Sequence, residues 1–211
     1  MTRPPFETAH LDELDRFAGE FDTIPVRIPF GISAFGVNAY GSREAGGRVI
    51  EEHDELGAGA GRHEELYVVL AGRATFTVAG EELDARAGTL VFVRDPAVRR
   101  GAVAAEPDTT VLVVGGTVGE AFTPSAWESW LEARPAYDEG DYEAAAAVLE
   151  RALVLHPGNP NVLYNLACCE ALAGRRDEAA AHLLEAAAGD PRVRDWAARD
   201  PDLDSVRGAL D

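Results

Sequence analysis

Four pairs of residues in the second part of the chain keep one offset. Gly140 and Gly174, Ala145 and Ala179, Ala152 and Ala186, and Pro157 and Pro191 all stand 34 positions apart. The residue types are those a stacked helical repeat needs: small side chains where helices press together, glycine where one helix stops, proline beyond the next. The C-terminal part is thereby committed to helix pairs. The part before it has another texture. From Thr23 to Gly116, short runs rich in Val, Ile, Phe and Thr alternate with glycine. "ISAFGVNAY", "GRVIEEH", "ELYVVL", "ATFTVAG", "TLVFV" and "TVLVVGG" read as strands. Many short strands at regular spacing predict a sandwich or barrel. Ala71-Gly72-Arg73 and Ala79-Gly80-Glu81 stand where hairpin turns are expected.

These textures predict four segments. Residues 1–22 form an arm or short amphipathic helix, since Leu11, Leu14, Phe17 and Phe21 recur at three- and four-residue steps. Residues 23–117 form the β-domain, and "VGEAFTP" within 118–124 is a linker. Residues 125–211 are helical, opened by a capping box of Ser125 with Glu128 and closed by a cap helix over Val193–Leu210. In the first repeat, Ser129 and Glu132 replace large apolar residues, and Pro135 is expected to interrupt the helix. Two repeats are too few to cover their own faces. A dimer is therefore expected, with Trp127, Trp130 and Leu131 largely buried at an interface within or between chains.

Composition narrows the chemistry. Of 211 residues, 19 are Lys or Arg and 37 are Asp or Glu, for a net charge of −18. So acidic a chain repels phosphate backbones, which argues against nucleic acid and anionic membranes as partners. Its basic side chains, histidine aside, are all arginine, so lysine-dependent Schiff-base or phosphate-loop chemistry is excluded. No apolar run opens the chain, so neither a secretory signal nor a membrane span is expected there. Cys168 and Cys169 are adjacent, point about 100° apart on a helix, and make a poor disulfide. The expectation is a cytoplasmic protein whose cysteines are small buried residues.

Two resemblances follow from quoted residues. "GDYEAAAAVLERALVLHP" and "NVLYNLACCEALAGRRDEAAAHLLEAAAGDP" resemble tetratricopeptide repeats, which implies a protein-interaction or dimerisation module. The β-domain resembles the cupin family, whose first motif reads G-x5-H-x-H-x3,4-E-x6-G. Glu65 and Gly72 match its end, and Gly88 opens the second motif. The resemblance implies a double-stranded β-helix barrel with a metal held by three histidines and a glutamate. This chain departs from that pattern. Gly59 and Gly61, or in the other register Ala58 and Ala60, fill the paired histidine places. Arg99, or with a shifted register Gly101, fills the last.

Two site readings remain open. In one, no cofactor is bound. A glutamate buried alone is costly, so Arg99 pairs with Glu65 or holds a ligand carboxylate, with Tyr67, Tyr40 and Phe76 as walls. In the other, His53 and Glu55 on the preceding strand join His63 and Glu65 to hold Fe, Mn or Zn, the residue types those ions take. The first expectation is a small-molecule-binding or regulatory cupin without the usual metal site, joined to a module that binds a protein partner or a second copy. The alternatives are a metal-dependent oxygenase or isomerase and a purely structural adaptor.

Overall fold

The computed structural model describes residues 5–19 and 21–210. It divides into two compact units: Met1–Gly57 with Gly61–Thr123, and Ala58–Ala60 with Pro124–Asp211. The first unit is built of strands β1 (Asp22–Pro25), β2 (Gly36–Ser42), β3 (Arg48–His53), β4 (Glu64–Ala71), β5 (Arg73–Val78), β6 (Glu81–Arg86), β7 (Leu90–Val93), β8 (Arg100–Ala104) and β9 (Thr109–Gly116), with one helical turn, α1 (Arg27–Phe30). All paired strands run antiparallel. One sheet has the order β1-β2-β9-β4-β7 and the other β3-β8-β5-β6. This two-sheet arrangement is cupin-like. Side chains alternate along each strand, so Tyr67 and Val69 of β4, Phe76 of β5, and Val111 and Val113 of β9 fill the shared core.

The six strands read from sequence are present. Three others, β1, β6 and β8, lie where no strand was read. β6 is the polar run "EELDAR" at a sheet edge, with only Ala85 buried, so it lacks the apolar signal. Of the two expected hairpins, one forms. Val78 pairs with Glu81 across Ala79 (φ 54) and Gly80 (φ 83), a two-residue turn of the kind that matches strand twist. At Ala71-Gly72-Arg73 there is no hairpin. β4 and β5 belong to different sheets, and the chain turns a corner between them. Gly72 sits at φ 67 there, and a Cβ would lie 2.8 Å from the Thr109 Cα.

Of the arm or short helix expected at the N-terminus, no α-helix forms among the described residues before β1. Leu11–Glu13 make one 3-10 turn capped by His10, and Phe17 instead forms a bridge with Thr23 through reciprocal backbone hydrogen bonds. Four residues at helical spacing cannot repay helix nucleation when the next strand offers a backbone partner. Residues 1–4 and 20 of that segment lie outside the described residues.

The second unit holds α2 (Glu128–Asp138), α3 (Tyr142–Leu155), α4 (Pro160–Ala173), α5 (Arg176–Gly189) and α6 (Val193–Ala197). The side chain of Glu128 accepts from the Ser125 N–H, one half of the expected capping box. α2 runs through Pro135 rather than stopping there. Asp141 caps α3 and Asn159 caps α4, whose first residue is Pro160 and whose end is Gly174 in the left-handed conformation (φ 86). Ala145, Ala146, Ala179 and Ala186 are fully buried, which is the close helix packing the 34-residue period requires. Cys168 and Cys169 are buried too. The expected single cap helix is broken into α6 and two 3-10 turns, Pro201–Leu203 and Arg207–Leu210. Pro201 cannot continue a helix, and the Asp200 side chain caps the new turn by accepting from Asp202 N. Leu203 and Val206 still bury against α4 and α5.

The corner glycine gives a direct check. Gly72→Ala places a side chain at positive φ and against Thr109 backbone, and should cost about 2–4 kcal/mol in urea unfolding. Gly80→Ala, also at positive φ but with open space around it, should cost only about 1 kcal/mol.

Candidate functional site

Glu65 follows from β4 alternation: it points into the barrel and is 9% exposed. Its partner is Arg100, not Arg99. Arg99 turns outward and bonds Glu52 (3.0 Å). Arg100 is fully buried and reaches Glu65 Oε2 from Nη2 (2.7 Å) and Nε (3.1 Å). Its Nη1 donates to the carbonyls of Pro96 (3.1 Å) and Val98 (2.8 Å). The Tyr67 hydroxyl donates to the same Glu65 oxygen at 2.5 Å. Burial works against charge on Glu65, but contacts with His53, Tyr67 and Arg100 outweigh it and hold the carboxyl below its usual range. Burial, then the Glu65 charge, pushes the Tyr67 phenol far up.

His53 arrives by an irregularity. β3 pairs with β8 through Ile50↔Ala102 and His53↔Arg100, so three steps on one strand match two on the other. That bulge turns His53 to the inner face beside Arg100. Its Nδ1 lies 2.7 Å from the Glu51 carbonyl and so carries the proton. Nε2 then lies between Glu55 Oε1 (3.6 Å) and Glu65 Oε2 (3.7 Å). Burial lowers the His53 pKa, yet the hydrogen bonds to Glu65 and to the Glu51 carbonyl, with the Glu65 charge, outweigh it for a net upward shift. The side chain is 32% exposed, the most open in this group.

Glu55 lies just past the end of β3 and is buried. Its Oε2 accepts from the N–H groups of Gly61 (2.9 Å) and His63 (3.4 Å), clamping the loop before β4. The His63 Nδ1 stands 3.9 Å from the same oxygen, its ring packs against Phe122 (5.4 Å between centroids), and its Nε2 is buried without a hydrogen-bond partner. A Cβ on Gly61 would lie 2.2 Å from that Nε2. The His63 ring thus fills the room a side chain at position 61 would need.

Of the other expected wall residues, Phe76 is core, its ring edge-on to Tyr67 (5.6 Å). Tyr40 is partly buried against the core and meets Phe21 (6.0 Å). Among the described residues, His53, Glu55 and Glu65 bring three possible ligand atoms within 4.8 Å of one another, without His63. Cys168, Asp200 and Asp202 form a second such group. There the carboxylates accept from Tyr164 and Tyr137 (both 2.6 Å), so they already serve as polar anchors of the cap. Arg100 is the residue the sequence reading missed. The available signal was the tandem Arg99-Arg100 preceding small Ala102 and Ala104, which share the inner face with Arg100.

Comparison with known proteins agrees on the helices. The tetratricopeptide repeat family model matches residues 136–199. The C-terminal part is tetratricopeptide-like. Solved structures resembling the chain include a cupin protein from Bacteroides fragilis, 18% identical, covering 57% of this chain and 93% of that one with a TM-score of 0.43. A sugar phosphate isomerase of the cupin superfamily from Silicibacter pomeroyi is 18% identical over 53% of this chain and 76% of that one (TM-score 0.43). An RmlC-like cupin from Shewanella frigidimarina is 16% identical over 56% and 95% (TM-score 0.41). No curated protein matches the chain. Among the described residues, no helix is long and apolar enough to cross a membrane.

Removing the buried cation tests the network. Arg100→Met leaves the buried Glu65 charge without its fixed cation, and should cost about 3–5 kcal/mol in urea unfolding. Glu65→Gln should cost about 1–3 kcal/mol. Glu65→Leu with Arg100→Met should recover most of the loss, because no buried charge is then left unpaired.

Proposed function

We propose that this protein is a small-molecule-binding barrel that works without the usual cupin metal, coupled to a helical-repeat module that docks a protein partner. One observation carries the metal-free part: two nitrogens of the buried Arg100 guanidinium lie on Glu65 Oε2. An ion held by Glu65 in the family's manner would share that carboxylate with a fixed cation, and like charges repel strongly in a buried site. Nor do the histidine places fit a metal. In the register that uses Gly59 and Gly61, the space beside Gly61 is filled by His63.

The group a solute can reach is His53, with Glu55 and Glu65 behind it. An imidazole backed by two carboxylates suits a polar molecule that brings hydroxyl or cationic nitrogen donors. Tyr67 and Phe76 close the floor beneath, so the ligand contacts this polar end of the barrel rather than its filled interior. The repeat module supports the docking part, because helix pairs of this kind present continuous faces to peptides.

A second reading has its own observation. His53 Nε2 faces Glu55 Oε1 and Glu65 Oε2 at 3.6 and 3.7 Å while Nδ1 is tied to a carbonyl, the arrangement in which a metal-binding histidine is oriented. An Fe, Mn or Zn ion there would supply Lewis-acid chemistry.

Elemental analysis of protein purified without chelator separates the readings. The metal-free barrel predicts far less than one ion per chain. Stoichiometric Fe, Mn or Zn that disappears in His53→Ala would install the second reading. A thermal-shift panel of sugars, amines and carboxylic acids tests the ligand. Polyhydroxy or amine compounds should raise the melting temperature of the native chain and leave His53→Ala unmoved; a panel without effect on either would remove the binding role.

A further inference from the structure

The two sheets of the barrel turn outward faces of opposite chemistry. On the four-stranded sheet the outward rows pair Thr75 with Asp84 and Thr77 with Glu82, and Arg73 bonds Asp84. That face is solvated in the ordinary way. On the five-stranded sheet, Leu66 lies opposite Phe92 on one side and Val114 on the other, and Val68 lies opposite Leu90 and Leu112. Six apolar side chains therefore form two rows across β7, β4 and β9. Leu90 is 63% exposed and Phe92 46%, and Leu70, next along β4, is 45% exposed. A continuous uncharged face on a chain of net charge −18 marks a surface that something covers.

The rim indicates what covers it. Glu64 is two residues before Leu66 on the same face, and Arg94 follows Phe92 by two, its guanidinium over the Phe92 ring (5.1 Å). An acid and a base thus stand side by side, one on β4 and one just past β7. A two-fold axis running along the strands between β4 and β7 would set Arg94 of each copy against Glu64 of the other. The same axis sets Phe92 against Leu66 and Leu90 against Val68, each contact occurring twice. A second copy meets this uncharged face with a rim that is complementary to itself, acid against base. We propose that this face joins two copies of the chain by that two-fold, as sheet packed on sheet. The apolar area is modest, so the dimer dissociates on the order of micromolar concentration.

Sedimentation velocity of the full chain over a dilution series tests this. The expected result is a species of twice 22.5 kDa that splits on dilution. Leu90→Glu, on an exposed side chain, should leave the circular dichroism unchanged and the protein monomeric. Glu64→Arg and Arg94→Glu should each weaken association by roughly tenfold, and the double exchange should restore it, because the rim pair is made twice. Three results would each overturn the proposal: a native chain monomeric throughout, a dimer indifferent to Leu90→Glu, or a double exchange no tighter than the single ones. Indifference to Leu90→Glu would place self-association elsewhere, as on the repeats.

Discussion

One carboxylate organises the barrel interior. Glu65 comes from β4 in the five-stranded sheet and Arg100 from β8 in the four-stranded one, so their bond spans the space between the sheets. Neither charge can be left alone there, since desolvation would cost several kcal/mol per ion. Arg100 therefore spends its remaining donors on the Pro96 and Val98 carbonyls, which fixes the loop before β8. Tyr67 sits two residues from Glu65 on the same face and closes the network, and Phe76 packs edge-on against it. A polar cluster with every charge answered can hold a unique geometry in a core that is otherwise small and aliphatic.

The same cluster shows how far sequence could reach. The carboxylate was legible, because "ELYVVL" alternates cleanly and ends at a glycine that must turn a corner. The need for a cation was legible from the cost of burying that carboxylate. Its identity was not. Arg99 and Arg100 are neighbours, so choosing between them is a choice of strand parity, and one step moves a side chain to the opposite face. The bulge in β3 that brings His53 inward is equally invisible, since no residue type announces it. The 34-residue period, by contrast, survived intact, because it rests on alanines that must be small and on glycine and proline stops. Backbone competition decided where the reading was open or wrong: between helix and arm at Leu11–Phe21, and in the cap expected as one helix over Val193–Leu210.

The glycine at position 61 has a physical counterpart. With glycine at 61, the backbone can approach the strand that follows, and His63 moves its ring into the freed room. Glu55 then gains a structural duty, its Oε2 holding the N–H groups of Gly61 and His63, while Oε1 remains turned to His53. Glu55 thus serves partly as loop support. Under the binding role proposed above, the part that would meet a ligand is narrower than the sequence suggested: His53 with Glu55 Oε1 and the shared oxygen of Glu65.

In the repeat unit, the difficulty is an uncovered end, and the chain answers it locally. Pro201 breaks the cap, so Asp200 and Asp202 turn back toward α4 and α2, where the Tyr164 and Tyr137 hydroxyls bind them. Leu203 and Val206 enter the core in the same turn. At the other end, Trp130 is edge-on to Tyr137 (5.1 Å) and Leu131 is buried. Of the three side chains expected at an interface, Trp130 thus packs within the unit, Leu131 is buried, and Trp127 and Trp130 are only half-buried. Exposed apolar side chains remain on both units: Leu90 and Phe92 on the barrel, and Val154, Leu155 and Leu184 on the helices. If two copies join through the β-sheet face as proposed, the repeat helices need supply no part of that contact.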